Sequence, residues 1–373
     1  MTARTPAVNE TMTPYLNLLE PEGLVRAFLA HAPLDVKPLI APGGIPAFST
    51  RFDLLTTADD RLRRRIAALP FYRRWSRLLK PLTCFIGTTV SEYALFPREL
   101  APAILVHEIK NRLARDYSLV VIKDIPQNSP LLEAEANARA NELAEACEVA
   151  GFVHLEGQAL AYVPIDFDSV DEFVSELSRG RRRDIRRKLR SDASLSIEIS
   201  MVPCGDNRLR RHEVLDEYYD LYLNVFRQSE VHFDRLSADF FRSVLQDAST
   251  GGMVFEYRQH GHLVGYNLCF VCGMMLVDKY VGFRYPEARE SNLYFVSWFH
   301  NLAFARERAL KYYVAGWTDP EIKAYLGARF TFTRHAVYVR NGVLRAALRR
   351  LAGYFERDRM WHDDHCDASP RCP

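Results

Sequence analysis

Between Met253 and Leu310 the chain has little freedom in what it can become. Three strand-like runs, Met253–Arg258, His262–Cys272 and Met274–Phe283, are separated only by short breaks at Gly261 and Gly273. Breaks that short permit only antiparallel hairpins, because a parallel return needs a crossover of a dozen or more residues. The segment that follows, Ser291–Leu310, carries Leu293, Phe295, Val296, Trp298, Phe299, Leu302 and Phe304 on nearly every side. Such a helix has to be buried, and the sheet just made is the surface available to bury it.

The rest of the chain fits around that sheet. Of 373 residues, 48% are hydrophobic and 26% charged, which excludes a disordered or collagen-like chain. No apolar stretch approaches the ~20 residues of a membrane span, so the expectation is a soluble cytoplasmic protein with no membrane span. Seven dispersed cysteines fit reduced thiols better than a disulfide framework. Strand and helix alternate from Leu82 onward: strands at Leu82–Val90, Ser118–Lys123, Phe152–Leu155 and Ala159–Ile165, helices at Arg98–Arg115 and Leu131–Ala150. A similar order recurs through Leu195–Val202, the three hairpin strands, Lys311–Ala315 and Phe330–Val339. The fold class is therefore α/β, with mixed, mostly antiparallel sheets flanked by helices. The reading divides the chain into a proline-rich N-terminal arm (1–48), a first half (49–168), a second half (169–345) and a basic C-terminal helix and tail (346–373).

Net charge is only +2, but positive charge is concentrated twice, at Arg61–Lys80 and Arg179–Arg190, each with eight basic residues. In helical projection Arg179, Arg182, Arg183, Arg186, Arg187 and Arg190 form one stripe, with Ile185 and Leu189 on the other side. Guanidinium groups so arranged suit phosphates or an acidic protein helix, and a merely solvated face is the plainer alternative. Pro70 splits the first run, whose charges form no single stripe.

Several of these segments together resemble the GNAT acyltransferase superfamily and, within it, the two-domain branch of Fem-type aminoacyltransferases and FemAB-like relatives. They are the basic helix Ser178–Arg190, Gly265-Tyr266-Asn267, Asp278-Lys279-Tyr280, Ala315-Gly316-Trp317 and Lys323-Ala324-Tyr325-Leu326-Gly327-Ala328. The resemblance covers about 170–340 well and 50–165 by element order alone. It implies tandem GNAT-like domains, the first degenerate and the second catalytic. It also implies that the strands at 274–283 and 311–316 diverge, leaving a gap where a donor's pantetheine-like arm pairs with exposed backbone. An acyl or aminoacyl group would pass there from a thioester to a small amine by direct attack, forming an amide. No tightly bound cofactor is expected, since the donor, an acyl carrier protein or acyl-CoA, is a co-substrate. Aminoacyl-tRNA is the alternative donor, as the Fem-type resemblance implies, and a catalytically silent binding module is the rival from another class.

The amine has to lose a proton, which a carboxylate near the divergence could accept. Asp278 is the candidate base, with Tyr280, sharing its face by simple alternation, or Tyr313 as hydroxyl donor. Ordinary structural hydrogen bonding is the alternative for Asp278. His300, one of few polar residues on the buried helix with Ser297 and Asn301, is a second proton-transfer candidate. Tyr266, Asn267, Trp298, Trp317 and Asn292 are candidate substrate-binding residues, and the six stripe arginines candidate donor-binding residues. The segment Arg284–Asn292 lacks the glycines of a coenzyme A pyrophosphate loop, and Pro286 removes a donor. No metal site is expected. Cys269 and Cys272, three apart on a strand, should face opposite ways, and His362, His365, Cys366 and Cys372 lie in a polar tail. Phosphate-loop, dinucleotide and serine-hydrolase motifs are missing from the sequence.

Overall fold

The computed structural model describes residues 15–55, 64–65, 67–72, 76–229 and 234–351. Much of the Arg61–Lys80 run, the start of the arm and the tail histidines and cysteines lie outside them. Among the described residues, eleven strands form one continuous sheet: β1 (Lys37–Ala41), β2 (Ile45–Arg51), β3 (Leu82–Ile86), β4 (Leu119–Pro126), β5 (Val153–Pro164), β6 (Ile197–Pro203), β7 (Gly252–Gln259), β8 (His262–Cys272), β9 (Met275–Phe283), β10 (Tyr312–Gly316) and β11 (Arg329–Val339). The spatial order is β1-β2-β3-β4-β11-β5-β10-β9-β8-β7-β6.

Helices of six residues or more are α1 (Glu22–Ala30), α2 (Pro102–Leu113), α3 (Ala134–Val149), α4 (Val170–Ser175), α5 (Arg179–Leu189), α6 (His212–Gln228), α7 (Ala238–Gln246), α8 (Leu293–Glu307), α9 (Pro320–Tyr325) and α10 (Gly342–Leu351). Two corrections to the sequence reading follow. Residues 37–48, read as part of the proline-rich arm, hold β1 and most of β2. Proline is tolerated there because β1 is an edge strand, and Gly43 and Gly44 take positive φ in the connecting turn. The strands expected separately at Phe152–Leu155 and Ala159–Ile165 are one strand, β5, with a bulge at Gly157, where a Cβ would sit 2.2 Å from Thr333 Oγ1.

The order β1, β2, β3, α2, β4, α3, β5 repeats as β7, β8, β9, α8, β10, α9, β11. Pairing repeats with it: β3 runs parallel to β4 as β9 does to β10, and the other neighbours are antiparallel. The last strand of each repeat is exchanged, since β11 pairs with β4 of the first half and β5 with β10 of the second. Antiparallel β5 and β11 then pair with each other at the centre. The two units are therefore one structural body.

On one face, Leu105, Ile109 and Leu143 of α2 and α3 pack on the first half, and Phe173, Ile185, Trp298 and Leu302 of α4, α5 and α8 on the second. The other face is covered by Phe28, Leu221 and Phe241 of α1, α6 and α7. Because each half supplies a strand that the other lacks, fragments 1–168 and 169–373 are expected to show no cooperative unfolding when separate and to regain one transition when co-expressed. Circular dichroism melts of the fragments and the reassembled pair check this.

Candidate active site

The gap follows from strand lengths and two bulges. β9 pairs with β10 only at Met275, Leu276 and Val277, although β9 continues to Phe283. Against β8, Asp278 faces Cys269 and Tyr280 faces Leu268, so Lys279 is an inserted residue. Against β5, β10 is irregular between Val314 and Gly316. Each bulge bends its strand, and the two strands part at Asp278.

Asp278 is held firmly on one side. Its Oδ2 accepts from Asn267 Nδ2 at 2.8 Å, Tyr313 Oη at 2.9 Å and Asn301 Nδ2 at 3.0 Å. Asn267, Asn301 and Tyr313 are all at most 1% exposed. The other oxygen, Oδ1, is buried with no hydrogen-bond partner among the described residues. Burial pushes the carboxyl up to about 6, against the pull of the Tyr313 and Asn267 donors and the Lys323 charge.

Lys323, on α9, is 4% exposed, and its ammonium has no hydrogen-bond or ion-pair partner among the described residues. Burial lowers it to about 8, opposed by the charges of Asp278, Asp319 and Glu92. Gly316 marks the mouth of the gap. A Cβ there would lie 3.8 Å from the Asp278 carbonyl oxygen and 4.0 Å from Lys323 Nζ, and its φ of 78° suits glycine. A carboxylate tuned up and an ammonium tuned down beside a strand divergence can move a proton and hold negative charge near neutral pH.

The Arg stripe is tied to this site. Arg181 is buried and donates through Nε to the Tyr325 carbonyl and through Nη2 to the Ala324 carbonyl, both at 2.8 Å. Tyr325 Oη donates to Asp184 Oδ2 at 2.8 Å. Burial alone would raise Asp184, yet donors from Arg187, Lys188 and Tyr325 hold it well below the usual carboxylate range. Arg179, Arg182, Arg183, Arg186, Arg187 and Arg190 line one open groove of about 460 Å³. Arg182 bonds the Ser175 carbonyl, Arg186 lies 3.8 Å from Asp171 and Arg187 pairs with Asp184, while Arg179, Arg183 and Arg190 face no carboxylate among the described residues.

The remaining candidates separate. Trp298 packs edge-on against Tyr313 at 5.2 Å, on the Asp278 face. The insertion at Lys279 breaks simple alternation and turns Tyr280 to the opposite face, edge-on to Phe240 and Phe241. Tyr266 stacks on Tyr218 on that same face, and Trp317 packs against the cluster that holds Val277 and Val314. His300 lies edge-on to Phe255 and Tyr257, and burial lowers its pKa. Asn292 donates to Ser191 and Ser194 and starts α8, a joining role. Asn301, next to His300, is the polar residue of α8 that reaches Asp278, and Lys323 had been read only as part of a motif. A charged residue between Ile322 and Ala324 was the signal available. Cys269, against Asp278, and Cys272 do fall in separate packing clusters.

On the far face, Lys279 Nζ meets Glu92 Oε1 at 2.5 Å and Glu20 Oε1 at 3.3 Å, all three side chains at most 6% exposed. The corresponding divergence of the first half, between β3 and β4 beyond Ile86 and Ile122, is bridged by its own groups: Lys123 Nζ donates to the Thr88 carbonyl at 2.9 Å. The loop Arg284–Asn292 offers no free cradle either. The N–H groups of Ala288, Arg289, Glu290, Ser291 and Asn292 each bond a carbonyl three or four residues back, and Glu287 and Glu290 add negative charge.

Comparison with known proteins bears on the fold. Similar solved structures include the C-terminal domain of a putative lysylphosphatidylglycerol synthetase from Agrobacterium fabrum, at TM-score 0.52 and 14% identity, covering 90% of each chain. FemX matches at TM-score 0.51 and 12% identity, over 90% of this chain and 96% of its own. L-PGS from Bacillus licheniformis matches at TM-score 0.50 and 10% identity, over 93% and 99%. These likenesses concern the fold. No curated protein matches in sequence. A family model described as peptidoglycan biosynthesis/recognition matches residues 101–369, and the chain belongs to that FemAB-like family.

Proposed function

We propose that the protein is an acyl- or aminoacyltransferase that forms an amide in the gap between β9 and β10. One observation carries the reading: at the point where the strands part, Asp278 has one oxygen saturated by three donors and the other buried and unpartnered. The acceptor nitrogen bonds to the donor's acyl carbon, Asp278 Oδ1 takes the proton, and the donor's bond to its carrier breaks. Tyr313, Asn267 and Asn301 fix the carboxylate so that the free oxygen points at the amine. Lys323 supplies positive charge for the tetrahedral oxygen as it becomes negative. Backbone of β9 beyond Val277, which has no partner in β10, aligns the donor arm.

The donor arrives on an anionic carrier seated on α5 rather than as coenzyme A. Support comes from the internally bonded loop at 288–292 and from the arginine groove. A carrier-protein thioester is the first reading. Aminoacyl-tRNA is the second, favoured by Arg179, Arg183 and Arg190, guanidinium groups that face no carboxylate among the described residues and are spaced along one helix as a phosphate backbone would engage them. Thermal shifts with coenzyme A thioesters, a phosphopantetheinylated carrier protein and aminoacyl-tRNA separate the cases. The tRNA shift should fall steeply with salt.

Three outcomes are expected once a donor is found. Asp278→Asn should lower turnover by roughly 10²–10⁴-fold, the range of a lost general base, and turnover like the wild type would end the proposal. Because the folded carboxyl titrates above its unfolded value, its contribution is present at low pH and lost as pH rises through about 6. The Asn variant should therefore melt no lower than the wild type at pH 8. The rate should rise with pH through about 6 as Asp278 ionises and fall beyond about 8 as Lys323 loses its charge, and Lys323→Met should remove the descending limb.

A further inference from the structure

The two edges of the sheet are finished differently. At one edge β1 carries Lys37 and Pro38, residue types that discourage a further strand. The other edge, β6, reads Ile197-Glu198-Ile199-Ser200-Met201-Val202-Pro203, with a proline only at its last position and Glu198 as its one charge. It pairs with β7 in an uninterrupted register and has no second neighbouring strand among the described residues. An edge without a bulge, an inner proline or a lysine is a template for another strand.

The direction of its free hydrogen-bonding groups follows from the register. Cys204 N donates to Gly252 O at 2.8 Å, in step with the pairs Val202–Val254, Ser200–Glu256 and Glu198–Arg258. Antiparallel strands exchange bonds at every second pair, so the N–H and C=O groups of Ile197, Ile199 and Met201 point away from the sheet. Their side chains share the face of Tyr257 and Phe255, which α8 covers through His300 and Phe304. That cover does not reach the edge, where Ile199 is 39% exposed, Met201 48%, and Leu195, just before the strand, 68%.

This edge is complementary to itself. With Ile199 opposite Ile199 of an antiparallel second copy, Ile197 lies opposite Met201, and each outward N–H meets an outward carbonyl. Slipping one strand by two residues in either direction brings into the ladder Pro203, which has no N–H, or Leu195, which ends the preceding helical turn. The strand's own ends therefore fix the register. Glu198 then faces Ser200 of the second copy, so no like charges are opposed, and Ile197, Ile199 and Met201 of both strands form one apolar row. A peptide of other sequence would satisfy the backbone without this match. We propose that the protein forms a two-fold dimer by pairing β6 with β6 of a second copy, which joins two eleven-stranded sheets into one. The gap between β9 and β10 lies beyond β7 and β8 from this edge and takes no part in the contact.

Sedimentation equilibrium of the whole chain from roughly 2 to 200 µM spans the range suited to a contact at the small end of specific interfaces. The weight-average mass should climb from one chain toward two. Ile199→Pro removes an N–H that serves no bond inside the chain and should hold the mass at one chain with little change in melting temperature. Met201→Lys, which sets a charge in the apolar row, should do the same and serves should the proline disturb the strand. Ile199→Cys should crosslink under mild oxidation about tenfold or more above both the unsubstituted chain and Glu198→Cys, since opposed residues at a hydrogen-bonded pair lie within disulfide reach. A chain that stays single throughout overturns the proposal, whether the edge is then bare or covered by residues outside the described ones. A dimer that survives both substitutions, or crosslinks no better through Ile199→Cys than through Glu198→Cys, also overturns it, because the contact then lies elsewhere or in another register.

Discussion

The hydrogen bonds between β5 and β11 hold together everything else described. Each of these strands is the last element of its own half, and each completes the other half's sheet before meeting its counterpart at the centre. The exchange places β10 between β9 and a strand from the first half. β10 is thus anchored on one edge, while its other edge is released from β9 after three residue pairs. An opening in a sheet normally exposes unpaired backbone along two edges, and here only the β9 side is long. The cost of keeping it open is met by the packing on both faces, where Trp298, Tyr313 and Leu302 lie on one side and Phe240 and Phe241 on the other.

Electrostatics then separates the two faces at the gap. Adjacent residues of β9 point to different surroundings: Asp278 toward three neutral donors and a lysine that lacks a partner, Lys279 toward two glutamates that enclose it. Burial raises the first carboxyl. The glutamates Glu92 and Glu20 raise the second group, against the burial that opposes its charge. A fully paired ammonium is a structural tie, joining α1's flank, the loop after β3 and the bulge of β9. The Lys323 ammonium, by contrast, has no such partner among the described residues and lies near a carboxylate with one unpartnered oxygen. The distinction rests on partners, since both lysines are nearly inaccessible.

Much of the fold was legible because its signals are local. Gly261 and Gly273 dictated hairpins, the apolar sides of α8 dictated burial, and the arginine spacing of α5 dictated one charged stripe. What failed to show was the consequence of inserting one residue. Alternation placed Tyr280 beside Asp278, and the bulge at Lys279, invisible to a two-residue period, moved it to the other side of the sheet. His300 and Asn301 illustrate the same point on a helix, where neighbouring positions lie 100° apart and only packing decides which faces the gap. The roles of β1 and β2 were hidden by prolines, which on an edge strand remove donors that no neighbour needs. The exchange of β5 and β11 could not be read from either half, because it is a property of pairing between strands about 150 to 220 residues apart in the chain.

The bond pair from Arg181 has a mechanical meaning as well. Its guanidinium grips the carbonyls of Ala324 and Tyr325, the two residues that follow Lys323, while its own helix carries the outward arginines. A rotation or slide of α5 under the weight of a bound polyanion would pull on that short loop. Gly327, at a φ of 92°, closes it tightly against Phe173. Arg181 thereby ties the position of the charged helix to that of the turn that follows Lys323.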